Sequence, residues 1–181
     1  MKVQEDNPSV ARFEELAMPL FDQLYNFARW LTQDTAEAED LVQETYTKAL
    51  RGFSSFQTGT NFRAWMYRIL RNSFLSSRTG LKTTIALDGE NDDRVLPAET
   101  TTPESVLIEQ VDRELVQQAL TELPVPFREI LLLCEVEEMS YQEISETLVI
   151  PIGTVMSRLS RARKRLRDLL QKKSDGGRYG V

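Results

Sequence analysis

The sequence predicts an all-α protein of two small helical domains joined by a flexible linker. Three observations carry that prediction. Apolar residues recur at intervals of three or four through most of the chain, the period of a helix with one buried face. Alternating Val/Ile/Thr runs and Asn-Gly turns are absent, so nothing signals strands. Residues 79–103 break the pattern, with two prolines, few large apolar residues and a cluster of Asp, Asn and Thr. The domains expected on this basis cover 10–78 and 104–173, with a linker over 79–103 and a flexible tail over 174–181.

Each element has its own signal. From Phe13 to Leu31, the residues Leu16, Leu20, Leu24, Phe27 and Leu31 form a helical series, which Pro19 interrupts, so a helix starts or kinks there. Asp34 is placed to cap a second helix, with Glu37 three residues on. Its apolar stripe is Ala38, Leu41, Val42, Thr45, Ala49 and Leu50, and Gly52 closes it. Ser54 to Asn61 is a polar loop, and a third helix follows from Phe62 to about Ser77. Beyond the linker, Val106, Leu107, Val111, Leu115 and Leu120 predict a long helix that ends before Pro124. Phe127 to Val136 predicts a short apolar helix. Ser140 with Glu143 repeats the capping pattern and opens a helix that turns Tyr141, Ile144 and Leu148 inward. After the turn Val149-Ile150-Pro151, a last helix runs to about Leu170.

Composition removes several classes of function. With no histidine and one cysteine, Cys134, the chain has neither an intramolecular disulfide nor a self-contained zinc site, and it lacks the commonest catalytic base. No catalytic residues, metal ligands or cofactor are therefore expected. The longest apolar run, Ile130 to Cys134, is far short of the ~20 residues of a membrane helix. The first residues lack a signal-peptide pattern, which agrees with a cytoplasmic protein and no membrane insertion. Cys134 sits in the run ILLLCEV and is expected to be buried.

A net charge of −6 looks wrong for a nucleic-acid binder until it is mapped along the chain. Residues 1–50 hold four Lys/Arg and ten Asp/Glu, residues 51–85 six and none, residues 86–150 three and sixteen, and residues 151–181 nine and two. Two basic patches suited to phosphates thus alternate with two acidic stretches that repel them. Such a chain should bind DNA weakly alone and needs a partner for its acidic surfaces.

The segment SYQEISETLVIPIGTVMSRLSRARKRLRDLL has the form of a helix-turn-helix. At about 100° per residue, Val155, Leu159, Ala162, Leu166 and Leu169 share one arc, with Thr154, Ser157, Ser160, Arg161 and Lys164 broadly opposite. One face can pack while the other enters a major groove. Ser157, Ser160 and Arg161 are the candidates for base contacts. Arg158, Arg163, Lys164 and Arg165 suit phosphates, which position without specifying. Met156 lies at the edge of the groove face, placed either to touch a thymine methyl or to pack. Gly153 and Thr154 stand near the helix start, where free N–H groups meet phosphate.

The other basic patch is FSSFQTGTNFRAWMYRILRNSFLSSRT. Arg68, Arg71 and Arg78 share an arc, and Phe62, Trp65, Met66 and Ile69 another. Arginines among aromatics beside a polar loop suit single-stranded DNA. Trp65 reads as core, so the loop Gln57, Thr58, Gly59, Thr60 and Asn61 is the better candidate for gripping an extruded base.

The order DLVQETYTKAL, FRAWMYRILRN, LPVPFREILLL, SYQEIS and PIGTVMSRLSRARKRL, over about residues 10–172, resembles the extracytoplasmic-function (group IV) sigma factors of the sigma-70 family. The resemblance implies a sigma-2 and a sigma-4 domain, binding to the beta-prime clamp and beta flap of core RNA polymerase, and reading of the −10 and −35 promoter elements. It implies that Asp40, Gln43 and Glu44 meet the clamp; Gln43 and Glu44 also point away from the Leu41–Thr45 stripe. It implies that the loop 57–61, with Arg68, Arg71 and Asn72, takes the −10 strand. It also implies that the last helix reads −35 and that the acidic linker, with Asp88, Glu90, Asp92 and Asp93, threads the polymerase cleft. The wording Gly59-Thr60-Asn61, Ala64-Trp65 and PIGTVMSRL is similar to members paired with zinc-containing anti-sigma factors. Two other readings compete. A free-standing helix-turn-helix regulator gives no role to DLVQE, and a DNA-processing enzyme needs a nucleophile or carboxylate cluster that the sequence does not display.

Overall fold

The computed structural model describes residues 8–79 and 113–176, and among these every regular element is helical. The elements are α1 (Pro8–Ala17), a 3₁₀ turn (Met18–Leu20), α2 (Phe21–Thr32), α3 (Thr35–Gly52), a second 3₁₀ turn (Phe53–Ser55) and α4 (Phe62–Thr79). After them come α5 (Arg113–Glu122), α6 (Val125–Leu131), a π-helical segment (Leu132–Val136), α7 (Tyr141–Leu148) and α8 (Ile152–Gly176). The chain divides into two compact units, Met1–Ile85 with Gln142–Val149, and Ala86–Tyr141 with Ile150–Val181. Thr79, expected to open the linker, closes α4, and residues 174–176, expected in the tail, are the last turn of α8, which runs past the expected end near Leu170. The rest of the linker with its acidic residues Asp88 to Asp93, the tail from 177, and the start of the helix expected from Pro103 lie outside the described residues.

In the first unit α3 packs against both α2 and α4. Leu24, Phe27, Ala28 and Leu31 of α2, Ala38, Leu41, Val42 and Ala49 of α3, and Met66, Tyr67, Leu70 and Phe74 of α4 form the core. The buried Thr45 hydroxyl donates to the Leu41 carbonyl at 2.7 Å, so it adds no unsatisfied polar group. Asp34 caps α3 as expected, its Oδ1 accepting from the Glu37 N–H at 2.9 Å, a contact worth about 1 kcal/mol. The link from α2 is short because Gln33 takes a left-handed φ of 61° and closes α2 on the Arg29 carbonyl.

Pro19 does break the first helix, and the break resets its face. A 3₁₀ turn advances with about 3.0 residues per turn rather than 3.6. Phe13 and Ala17 are therefore the buried positions of α1, while Leu16 is exposed and Leu20 half-buried, contrary to the expected stripe. Phe13 sits edge-on to Phe53, with centroids 5.4 Å apart, and docks α1 on the bundle. Tyr46 adds a hydrogen bond to the Ala17 carbonyl at 2.7 Å. Burial, reinforced by the Asp22 carboxylate, pushes that phenol up to about 12.

Two further expectations for α3 and α4 change. Leu50 is exposed rather than part of the stripe, because it lies in the last turn of α3, which ends at Gly52. Gly52 has an ordinary right-handed φ of −87°, and α3 ends by tightening into the 3₁₀ turn rather than through a left-handed glycine. In α4 the buried set is Ala64, Met66, Tyr67, Leu70, Ser73 and Phe74, with Trp65 and Ile69 half-buried at its border.

In the second unit α8 packs on α5 and α6 through Val155, Leu159 and Ala162, against Ala119, Leu120 and Leu123 and the run Ile130 to Leu133. The short apolar helix expected over 127–136 starts at Val125 and widens at its end. Glu137 N–H donates to the Leu132 carbonyl at 2.9 Å, the i→i+5 bond of a π turn. Arg128 is only 6 % exposed. Its Nε donates to the Leu120 carbonyl at 2.9 Å, and Nη2 to those of Thr121 and Leu123 at 2.7 and 3.0 Å, so it closes the C-terminal end of α5.

α7 buries Ile144, Thr147 and Leu148, but Tyr141, expected inward, is exposed at its first position. Val149 after it has a φ of 56°, a left-handed conformation that a β-branched residue takes only under strain, and its side chain is 70 % exposed. Replacing Val149 by glycine should therefore stabilise the fold by about 1 kcal/mol, the relieved strain exceeding the entropy glycine adds to the unfolded chain. A higher thermal midpoint is the expected readout, whereas Val149→Ala should give little gain.

Candidate nucleic-acid interface

α8 is built to present its basic side outward. Val155, Leu159 and Ala162 are buried, while Ser160, Arg161, Arg163, Lys164 and Arg165 are exposed and Thr154, Ser157 and Arg158 half-buried. The turn before it is held by the Val155 N–H on the Pro151 carbonyl at 3.0 Å. Within the helix, Ser157 Oγ donates to the Thr154 carbonyl at 3.2 Å, and Arg161 Nε to the Ser157 carbonyl at 3.4 Å. Gly153 is exposed, and a Cβ there would meet nothing within 4 Å, so the backbone at the helix start is open to an approaching surface.

Arg163 differs from its neighbours. Its Nε and Nη2 both donate to Glu135 Oε1, at 3.1 and 2.7 Å, and Nη2 lies 3.8 Å from Cys134 Sγ. Burial opposes its charge, but the hydrogen bond and ion pair with Glu135 outweigh it and raise its pKa. Sequence reading grouped Arg163 with Lys164 and Arg165 as phosphate contacts. The structure adds a competing intramolecular partner, which i-to-i+4 spacing could not disclose because Glu135 is 28 residues away. Cys134 is half-buried rather than buried, since the π segment turns it to the border of the core beside Arg163. Burial first, and then the Glu135 charge, push its thiol pKa up, away from a reactive thiolate.

The other basic region is ordered around its loop. Gln57, Thr58, Gly59 and Thr60 are exposed, and Thr60 N–H donates to the Gln57 carbonyl at 3.2 Å, with Gly59 at φ 98°. A β-turn with a positive φ at its third residue wants glycine there. Phe56 and Phe62 bracket the loop, their rings meeting edge-to-face at 5.3 Å, and Trp65 adds contacts of 5.1 and 5.6 Å to them. This aromatic clamp was not anticipated, although two phenylalanines flanking a polar stretch could have signalled it. Trp65 serves the clamp rather than the helical core.

Asn61 starts α4, its Oδ1 accepting from the Ala64 N–H at 3.0 Å, and its Nδ2 donates to Glu143 Oε1 at 2.9 Å. Arg68 Nε donates to the Glu146 carbonyl at 3.1 Å. Glu143 and Glu146 both lie in the 142–149 segment that belongs to this unit. Arg71 is half-buried and Asn72 exposed. Loop and α4 thus place Gln57 to Asn61, Arg68, Arg71 and Asn72 on contiguous chain.

On α3, Asp40, Gln43 and Glu44 are exposed while Leu41, Val42 and Thr45 between them are buried, so the three polar residues stand clear of the packed stripe. Glu44 pairs with Lys48 one turn on, and Lys48 Nζ also donates to Ser73 Oγ at 3.0 Å. Among the described residues no group of three His, Cys, Asp or Glu could hold a metal ion, and no helix is long and apolar enough to cross a membrane.

These surfaces fall inside two matched families: Sigma-70 region 2 matches residues 16–83, and Sigma-70 region 4 matches residues 113–166. The chain is 39 % identical over 171 residues to the ECF RNA polymerase sigma factor SigE of Mycolicibacterium smegmatis, covering 93 % of this chain and 65 % of that protein. It thus spans just under two thirds of that relative's length. It is 30 % identical over 157 residues to the ECF sigma factor SigW of Bacillus subtilis, covering 83 % and 84 % of the two chains. Among solved structures it is similar to the sigma factor RpoE in complex with the anti-sigma factor NepR from Bartonella quintana. The TM-score is 0.67 at 31 % identity, over 88 % of this chain and 97 % of that one. With both regions matched and relatives of this identity over most of its length, the chain belongs to the extracytoplasmic-function sigma factors, the sigma-70 family of transcription-initiation factors.

Proposed function

We propose that this protein, itself no enzyme, binds core RNA polymerase in the cytoplasm and directs it to a particular set of promoters. The observation that carries the reading is that α3 exposes an acidic and amide face, while the clamped loop with α4, and α8 in the other unit, each expose a basic one. Asp40, Gln43 and Glu44 meet the beta-prime clamp, and the region-4 domain meets the beta flap. Gln57, Thr58, Gly59, Thr60 and Asn61, with Arg68, Arg71 and Asn72, take the unpaired −10 strand. The loop supplies amide and hydroxyl groups to an extruded base, and the arginines supply charge for phosphates. On α8, Ser157, Ser160 and Arg161 face −35 base edges, Thr154 at the helix start meets a phosphate, and Arg158, Lys164 and Arg165 hold others. Arg163 joins the phosphate contacts only by exchanging Glu135 for DNA. An anti-sigma factor controls the protein, a reading supported by the similar RpoE, which was solved with NepR; a zinc-containing partner is the form the loop wording suggests.

Run-off transcription over a promoter library, with core polymerase alone and with this protein added, tests the proposal. New start sites that require the protein are expected. Tight duplex binding without polymerase, and no new starts, would instead establish a free-standing regulator. Nicking of supercoiled DNA with Mg²⁺ would establish a processing enzyme.

A further inference from the structure

We infer that Met156, together with Ile152 one helical turn before it, reads thymine methyl groups in the major groove of the −35 element. The inference rests on the proposed −35 role of α8 and adds residues that its polar contacts leave out. Residues in the first two turns of a recognition helix are the ones that reach base edges, and Ile152 and Met156 are the first and fifth residues of α8. They are spaced i,i+4, so their side chains adjoin on one flank of the helix. Met156 is 45 % exposed and Ile152 41 %, whereas the packed stripe of the same helix, Val155, Leu159 and Ala162, is buried to within 1 %. Packing therefore does not account for either residue.

The flank they occupy offers little polar chemistry in those turns. Arg163, on the same side two turns further on, is engaged by Glu135. Ser157, on the neighbouring face, donates its hydroxyl proton to the Thr154 carbonyl and offers the groove only an acceptor. Gly153 between Ile152 and Thr154 leaves open space where a side chain would hold the helix off a surface. Against such an apolar ridge, the major-groove edge of guanine, adenine or cytosine would lose water from a donor or acceptor without gaining a partner. The C5 methyl of thymine presents the matching apolar surface, and the unbranched, polarizable Met side chain adapts to it.

The test uses holoenzyme reconstituted from core polymerase and the full chain. Its preferred −35 sequence is first selected from duplexes randomised there, upstream of a constant −10 element. Each thymine of the selected sequence is then replaced singly by deoxyuridine, which removes only the methyl group, and binding is measured by competition. Wild-type holoenzyme should lose about three- to fivefold at one or two adjacent thymines, the effect of one methyl transferred from water. Met156→Ala should bind the thymine and deoxyuridine promoters equally while still rejecting changes at other −35 positions. Because Met156 is exposed, its removal should leave the thermal midpoint unchanged, which separates lost reading from lost folding. A selected −35 element without thymine, no deoxyuridine penalty in the wild type, or the same penalty in Met156→Ala would each overturn the inference and leave the −35 role standing. Failure to select any −35 sequence would overturn that role and the inference with it.

Discussion

Alanine at both Gln43 and Glu44 is expected to reduce protein-dependent run-off transcription by about thirtyfold or more at limiting protein, the scale of losing roughly 2 kcal/mol or more of interface energy. The two side chains are exposed on α3 between the buried Leu41, Val42 and Thr45, so their removal leaves the packed stripe intact. Among the described residues the internal interaction lost is the Glu44–Lys48 pair, and exposed i,i+4 pairs of this kind are worth only about 0.3–0.5 kcal/mol. The thermal midpoint should therefore barely change while polymerase binding collapses. Lys48→Met supplies the control. It breaks the same pair, and the Lys48–Ser73 hydrogen bond with it, without touching Gln43 or Glu44, and run-off yield should stay near wild type. If Lys48→Met lost as much activity as the double alanine, the contacts of Lys48 rather than the acidic face would be responsible.

Arg128→Met should destabilise the region-4 domain by about 3–5 kcal/mol, since three backbone carbonyls lose a charged donor and hydrogen bonds to charged groups are worth about 1.5–3 kcal/mol each without adding fully. Methionine fills much of the arginine's volume, so the cost reports the lost polar interactions rather than a cavity. The Leu120, Thr121 and Leu123 carbonyls each accept from the guanidinium, at 2.9, 2.7 and 3.0 Å, at the end of α5, where the Leu120 carbonyl has only a long 3.3 Å bond from the Leu123 N–H besides. Arg128→Lys should rescue little, because a single ammonium cannot reproduce a planar fork serving three oxygens. Urea unfolding followed by hydrogen exchange should show amides of α5 and α6 losing protection first. Equal stability of Arg128→Met and wild type would mean that the α5 carbonyls find other donors.

Both predictions draw on residues whose legibility in the sequence was very different. The clamp role of Gln43 and Glu44 came from the family resemblance of DLVQE, while the helical period supplied their exposure, because whether a residue faces solvent on a regular helix follows from its spacing to apolar neighbours. Arg128 was passed over inside LPVPFREILLL, since an arginine in an apolar run reads as a surface residue until its acceptors are known. Asp34 was legible for a local reason: its partner is the N–H three residues ahead. Leu16, Leu20, Leu50 and Tyr141 were misread because each lies where a helix starts, ends or is broken by Pro19, and periodicity assumes an uninterrupted helix.

By itself, then, the sequence determined the helical class, the capped start of α3, the basic and acidic segments and the family motifs, all properties of residues close along the chain. Tertiary structure decided the rest. It set Arg163 against Glu135, gathered Phe56, Phe62 and Trp65 into a clamp for the loop, buried Arg128 on the end of α5, and left Met156 and Ile152 uncovered. The physical reason is the same in each case. Burial and pairing depend on which atoms arrive from another element, and the period of a single helix carries no information about its neighbours.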